Sequence, residues 1–244
     1  MKTLLKRILL KFGYRMECVK FQPRQLLDVS LLRELEFNDA VARRMSEVGP
    51  HLNFLQVGVY DGITHDPLNQ YIRRFGWHGV LVEPQAKSAS LLRALYGDYS
   101  NVTVIQAALS ATAGEQALYT VVGDGAPAWA GGLASFQRET ILKHTDMIPG
   151  LEAMLYEEIV ECVTFDQVFD RMGPVSVDIL QIDTEGADGY LLSLFPFERV
   201  KPWIIQWEIK HLSKAQQEEC FERLARFGYR FARSGGEDMM ALRF

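Results

Sequence analysis

No glycine is followed by lysine anywhere in the 244 residues, so the chain has no phosphate-cradling P-loop. None of the nine tyrosines has lysine four places on, which removes the Tyr-x-x-x-Lys pair of short-chain dehydrogenases and epimerases. Only three cysteines occur, Cys18, Cys162 and Cys220. They are too scattered for a disulfide framework or a metal motif, and they imply reduced thiols in a cytoplasmic compartment. Repeats and low-complexity tracts are absent. So is any apolar run of membrane-spanning length. A broad basic surface is missing too: residues 1–25 hold seven basic side chains and one acidic, leaving them at +6 and the remainder at −11. DNA and RNA are therefore excluded as partners.

What remains is ordinary globular composition, 48% hydrophobic and 23% charged, in a length that suits one α/β domain with additional elements. Residues 2–12 read as a short basic amphipathic helix. It either lies on an anionic membrane surface, giving residues 1–20 a peripheral contact at the inner face, or packs on the domain or a second subunit. The division expected is a helical extension over 1–48 and a single domain over 49–244; the sequence does not give the oligomeric state.

The most informative stretch is Phe54-Leu55-Gln56-Val57-Gly58-Val59-Tyr60-Asp61-Gly62, followed by Gly79-Val80-Leu81-Val82-Glu83-Pro84. An apolar run breaks into a glycine-bearing loop, a helix follows, and a second apolar run ends on a carboxylate. Parallel α/β sheets build adenosine pockets this way, the glycines admitting close backbone approach and the acid accepting from ribose hydroxyls. Tyr60 stands where a dinucleotide site needs its second glycine, so a pyrophosphate fits badly. A phosphate-free ligand fits better, and S-adenosylmethionine (SAM) is the natural candidate.

Apolar runs near 53–58, 79–83, 102–106, 177–182 and 203–208 alternate with amphipathic segments at 65–75, 86–96, 164–172, 187–194 and 213–226. Alternation predicts a doubly wound, mostly parallel sheet. Two closing strands at 229–232 and 239–244, joined by a Ser-Gly-Gly turn, bring the total to seven and suggest the class I SAM-dependent methyltransferase fold by analogy. Residues 121–150, rich in glycine and short side chains around Trp129, read as a long loop without regular structure. Such a loop is either a mobile cover, with Trp129 or Phe136 on the substrate, or a surface excursion.

Several ordered blocks carry a resemblance over residues 53–242: Gln56 to Gly62, Asp66-Pro67-Leu68, Gly76 to Pro84, Ala107-Ala108-Leu109, Ala134-Ser135-Phe136, Thr164-Phe165-Asp166, Asp178 to Asp188, and Glu208. Together they resemble the FkbM family of SAM-dependent methyltransferases. The resemblance implies methyl transfer from SAM to an oxygen of a sugar, glycan or related natural product. The cofactor contacts expected are Gln56, Gly58, Tyr60, Asp61, Gly62, Glu83, Pro84, Ala107 and Asp183, and the acceptor contacts expected are Trp129, Ser135 and Phe136. Many SAM-dependent methyltransferases carry an acid where Gln56 stands, holding the cofactor ammonium. An amide oxygen accepts that bond more weakly. Tyr60 replaces a smaller polar residue, often asparagine.

A hydroxyl nucleophile loses its proton during attack, so a base or metal is expected beyond the carboxyl ends of the strands. His211 is the expected general base, with Asp183 and Glu208 orienting it or supplying two oxygen ligands to Mg2+. The alternative for His211 is a solvated residue capping the helix near Ser213. His65 and Asp66 are expected to cap a helix; His51, His78 and His144 are expected to be structural or exposed. Asp188 and Glu185 can be explained by a helix N-terminus alone. A catalytically silent SAM- or adenosine-binding scaffold remains the alternative to an enzyme, ahead of an NAD-dependent sugar-modifying enzyme.

Overall fold

The computed structural model describes residues 29, 32–123, 125–173 and 176–243. The basic helix expected over 2–12 lies outside them. Among the described residues no helix is long and apolar enough to cross a membrane.

The chain enters through α1 (Phe37–Val48) and then builds β1 (Asn53–Val57), α2 (Asn69–Phe75), β2 (His78–Val82), α3 (Ala86–Tyr96) and β3 (Val102–Ile105). After an insertion it resumes with α5 (Phe165–Met172), β8 (Ile179–Ile182), α6 (Asp188–Leu194), β9 (Ile204–Glu208), α7 (Lys214–Arg226), β10 (Arg230–Arg233) and β11 (Asp238–Leu242). The main sheet has seven strands in the order β10-β11-β9-β8-β1-β2-β3. Only β11 runs antiparallel to its neighbours. Strands β1, β2, β8 and β9 are short and apolar because both faces are covered. Chain direction across the sheet reverses between β1 and β8, so a cleft opens beyond their carboxyl ends.

One row breaks this apolar pattern. Gln56, Gln181 and Gln206 sit opposite one another on adjacent strands, and all three are buried. Each carries a buried Oε1 without a hydrogen-bond partner, a concentration of unmet acceptors that demands a reason.

Helix boundaries follow local chemistry. Thr164 with Gln167 and Ser213 with Gln216 form capping boxes on α5 and α7. Ser213, rather than His211, therefore caps α7. The helix expected from residue 65 begins only at Asn69, because Asp66 Oδ1 accepts from the Leu68 and Asn69 amides (2.7 and 2.9 Å) and holds a turn there.

The described part of the N-terminal extension is joined to the sheet. Phe37, Ala40 and Val41 of α1 share a core cluster with Phe54 and Ile179. Arg44 Nη2 and Nε donate to Asp178 Oδ1 (2.6 and 3.1 Å), whose Oδ2 accepts from the Asn53 amide at 3.0 Å. Asp178→Ala strips both partners while leaving the arginine charge in place. A loss of about 2–3 kcal/mol in unfolding free energy with an unchanged slope is expected from urea titration.

The insertion differs from the long loop expected. Residues 108–163 build a second sheet in the order β4-β7-β5-β6, from β4 (Ala108–Leu109), β5 (Gly114–Val121), β6 (Ala134–Ser135) and β7 (Leu155–Val163). Within it, 121–154 contains 3-10 turns at Ala128–Gly132 and Leu151–Met154 and α4 (Arg138–Leu142), packed around Val121, Ala130, Leu133, Ile141, Ile148 and Leu151. That segment has its own small interior, which a structureless cover does not.

Candidate active site

Beyond Val57 the chain must turn sharply under the end of β8. Gly58 has φ 75° and its amide donates to Val82 O at 3.0 Å. A Cβ there would lie 1.7 Å from the Asp183 carbonyl oxygen, so the glycine is required by backbone crossing backbone rather than by a ligand. Asp61 secures the loop by accepting from Ile63 N, Thr64 N and Thr64 Oγ1 (2.7–2.8 Å). Burial pushes its carboxyl up, but these hydrogen bonds outweigh it and hold the group below the ordinary range. Gly62 packs towards Leu92 of α3. Asp61 and Gly62, expected at the cofactor, thus shape the loop and do not line the cleft.

Glu83 ends β2 and is 3% exposed. Its Oε2 accepts from the amides of Val59 and Tyr60 (3.0 and 2.9 Å), and its Oε1 accepts from Gln85 N at 2.9 Å. Burial raises its pKa against the pull of these three bonds. All three partners are donors, the arrangement a carboxylate needs. Glu83 therefore braces the Gly58 turn, with one acceptor position left on Oε1 for a ligand hydroxyl.

The cleft is lined by Gln56, Gly58, Tyr60, Glu83, Pro84, Ala107 and Asp183 on one side and by Trp129, Ser135 and Phe136 from the insertion on the other. Ser135 Oγ donates to the Glu185 carbonyl at 3.3 Å, tying the two walls together. The Tyr60 ring lies against the 3-10 turn Ala128–Gly132, so close that a Cβ on Gly131 would sit 2.8 Å from its hydroxyl. Among the described residues three non-glycines have positive φ, Tyr60 (53°), His65 (56°) and Glu185 (49°), and all three line this cleft. Strain of this kind persists where the surroundings over-determine a functional geometry.

At the β8 end the chemistry turns acidic. Asp188 is fully buried; its Oδ2 accepts from Thr184 Oγ1 (3.0 Å) and from the amides of Gly186 (3.3 Å) and Thr184 (3.4 Å), and its Oδ1 accepts from Glu208 N (3.3 Å). It pins the β8–α6 loop to the end of β9, a role beyond a helix N-terminus. Asp183 is pushed up to about 8 by burial and then by the charges of Asp188, Glu185 and Asp238, with Lys210 opposing. Glu208 is pushed up to about 9 by burial and the same carboxylate crowding.

The structure brings His211 to this cluster but not to the cleft. Its side chain is 4% exposed, with Nε2 3.0 Å from Glu185 Oε2 and 3.9 Å from Glu208 Oε2. Neither His211 nor Glu208 lines the cleft, whereas Glu185 and Asp183 do. His144, read from the sequence as structural or exposed, is 2% exposed and lies against His211 with ring centroids 5.5 Å apart. Asp66 was quoted from the sequence without a site role, yet its Oδ2 accepts from Gln56 Nε2 at 3.2 Å at the cleft wall. Since a carboxylate can only accept, this bond fixes the amide with Oε1 towards the ligand side.

A family model for the methyltransferase FkbM domain matches residues 56–231. The chain belongs to the FkbM methyltransferase family. Its strand order and the antiparallel β11 are those of the class I SAM-dependent methyltransferase fold. Solved structures similar to it include an O-methyltransferase from Bacillus cereus in complex with S-adenosylhomocysteine (SAH). That pair shares 11% identity over 98% of this chain and 97% of the other, with a TM-score of 0.38. The precorrin-6y C5,15-methyltransferase from Geobacter metallireducens is 11% identical over 92% of this chain and all of its own, with a TM-score of 0.39. A fibrillarin/Nop5p complex is 13% identical over 84% and 80%, with a TM-score of 0.39. No curated protein sequence matches.

The residues fit the cofactor this family uses. Gln56 and Gln181 present orphaned, buried carbonyl oxygens at the cleft floor, suited to accept from an ammonium. Glu83 keeps one free acceptor position near the Gly58 turn, suited to a ribose hydroxyl.

Proposed function

We propose that the protein transfers a methyl group from SAM to a hydroxyl oxygen of a sugar, glycan or related natural product. The observation that carries this reading is a cleft in which a nucleoside-type wall and the buried carboxyl of Asp183 face the aromatic side chains of the insertion. SAM supplies an electrophilic methyl carbon on its sulfonium when bound. Gln56, polarised by Asp66 behind it, accepts from the ammonium and offsets the missing acid at its own position. Glu83 holds the turn and takes a ribose hydroxyl. Trp129, Ser135 and Phe136 of the insertion position the acceptor, and in-line placement supplies much of the acceleration. Glu185 and Asp183 are the acids of the cluster that reach the cleft, and the acceptor proton leaves towards them. His211, expected from the sequence to be the base, stands behind Glu185 and off the cleft.

Calorimetry with SAH followed by a methyl-transfer assay over sugars, glycans and hydroxylated natural products tests the reading. Saturable SAH binding and a methyl ether product are expected. Absence of SAH binding removes the assignment, and binding with no product from any acceptor favours the scaffold.

A further inference from the structure

We infer that His144, Glu185 and His211 form a binding site for a divalent first-row transition ion at the edge of the cleft. One donor atom from each lies within 4.8 Å of the others, close to the roughly 4.2 Å span of opposed ligands around such an ion. Glu185 Oε2 and His211 Nε2 are 3.0 Å apart, yet neither has a hydrogen-bond partner, because they are not aligned on each other. Two ligands each about 2.1 Å from a shared ion and at right angles to one another are separated by about 3.0 Å. The side-by-side pair is thus the geometry of donors facing a common third point. Glu208 Oε2, also buried and unpartnered, is 3.9 Å from the same nitrogen and stands ready as a fourth donor.

The second imidazole is set for the same task. His144 Nδ1 is 3.2 Å from the Ile141 carbonyl, which can only accept, so Nδ1 carries the proton and Nε2 the lone pair. Metal-bound histidines are oriented this way by a backbone or carboxylate acceptor on the other nitrogen. Side-chain exposure of 4% at His211 and residue exposure of 2% at His144 keep water from competing for the site. The three segments meet because Gly186 lets them: a Cβ there would lie 3.2 Å from His211 Cβ and 3.5 Å from Thr140 Cγ2. Glu185 connects the cluster to the cleft.

Two imidazoles with one or two carboxylates select Zn2+, Co2+, Fe2+ or Mn2+ over Mg2+, which prefers all-oxygen surroundings. The donor set thus differs from the Asp183–Glu208 magnesium pair expected from the sequence. In this arrangement His211 is a ligand and not a free base. The inference deepens the proposed methyl transfer, since an ion beside the acceptor lowers the pKa of a coordinated hydroxyl. Binding of the ion does not depend on that transfer.

The test uses full-length protein stripped with a chelator and dialysed against Co2+, read by metal content and by visible absorption. One Co2+ per chain with a d–d spectrum is expected, displaced by stoichiometric Zn2+ and not by excess Mg2+. His211→Ala and Glu185→Gln are each expected to weaken Co2+ binding by about 100-fold or more, beyond the 10–100-fold typical of outer-shell changes. His144→Ala is expected to do the same, and thermal melting shows whether each variant is folded. If the buried His144 variant does not fold, the other two decide. Wild-type protein that binds no stoichiometric Co2+ at micromolar concentration overturns the inference. So does Co2+ binding undiminished in His211→Ala and Glu185→Gln. Failure of the methyl-transfer reading looks different: SAH binding is absent while Co2+ is still held.

Discussion

Glu83→Gln is expected to lower the affinity for SAH by about 100- to 1,000-fold, as measured by calorimetry. The native carboxylate accepts from Val59 N and Tyr60 N on one oxygen and from Gln85 N on the other, at 2.9–3.0 Å. An amide has one oxygen and one NH2 group, so whichever way it turns, donors meet donors on one side. At 3% exposure no water relieves the conflict. The ribose hydroxyl loses a charge-assisted bond worth about 1.5–3 kcal/mol, and the stranded turn amide, of similar cost, shifts the Gly58 loop away from the ligand; together these correspond to the stated loss. Glu83→Asp separates the two effects. Its carboxylate keeps the charge but is one methylene short of the turn, so partial recovery of affinity is expected. Equal affinity in wild type and Glu83→Gln removes Glu83 from the cofactor wall.

The second large effect is expected on folding. Gly58→Ala places a side chain at φ 75°, costing about 1–2 kcal/mol in backbone strain alone. The larger contribution is steric, because the new Cβ falls 1.7 Å from the Asp183 carbonyl oxygen. That oxygen belongs to backbone at the end of β8 and has no rotamer with which to retreat. The ends of β1 and β8 must part by more than an ångström, disturbing Gln56, Gln181 and Asp183 together. A loss of about 4 kcal/mol or more in unfolding free energy is expected, together with loss of SAH binding. Gly62→Ala, at φ 70°, meets side chains rather than backbone, with Leu92 at 2.6 Å, Leu95 at 3.1 Å and Tyr96 at 3.4 Å, and is expected to be milder. Gly114→Ala, with φ 154° and nothing within 4 Å, isolates backbone strain from the steric clash.

Much of the main sheet was legible because doubly covered strands are unbroken apolar runs. The run expected at 203–208 is β9 at 204–208, and the closing hairpin forms as anticipated. The second sheet was not legible. Strand β7 carries Glu157, Glu158 and Glu161, and β5 opens with Gly114, Glu115 and Gln116, residues that depress strand propensity; both were passed over. Their pairing is decided by each other and by one covered face, which local composition does not encode. The cleft residues in the apolar runs were found because strand ends and glycines mark them. The approach of His144 to Glu185 and His211 was not legible because it lies in the insertion, remote from them in sequence, and only the Gly186 crossing brings the three together. Glu83 stands just past β2, at the strand end read from the sequence, but its bonds to the loop became visible only with backbone positions.

The insertion holds two private clusters, one around Val121, Leu133 and Ile148 and another around Leu118, Val160 and Cys162. Mutational drift in that module is therefore buffered from the parallel sheet. Chemistry can be inherited on one half of the protein while recognition diverges on the other. Tyr60 against Gly131 and Gly132 is the toll on that freedom: any transplanted module must present the same flat glycine face, or the turn above β1 is forced to rearrange.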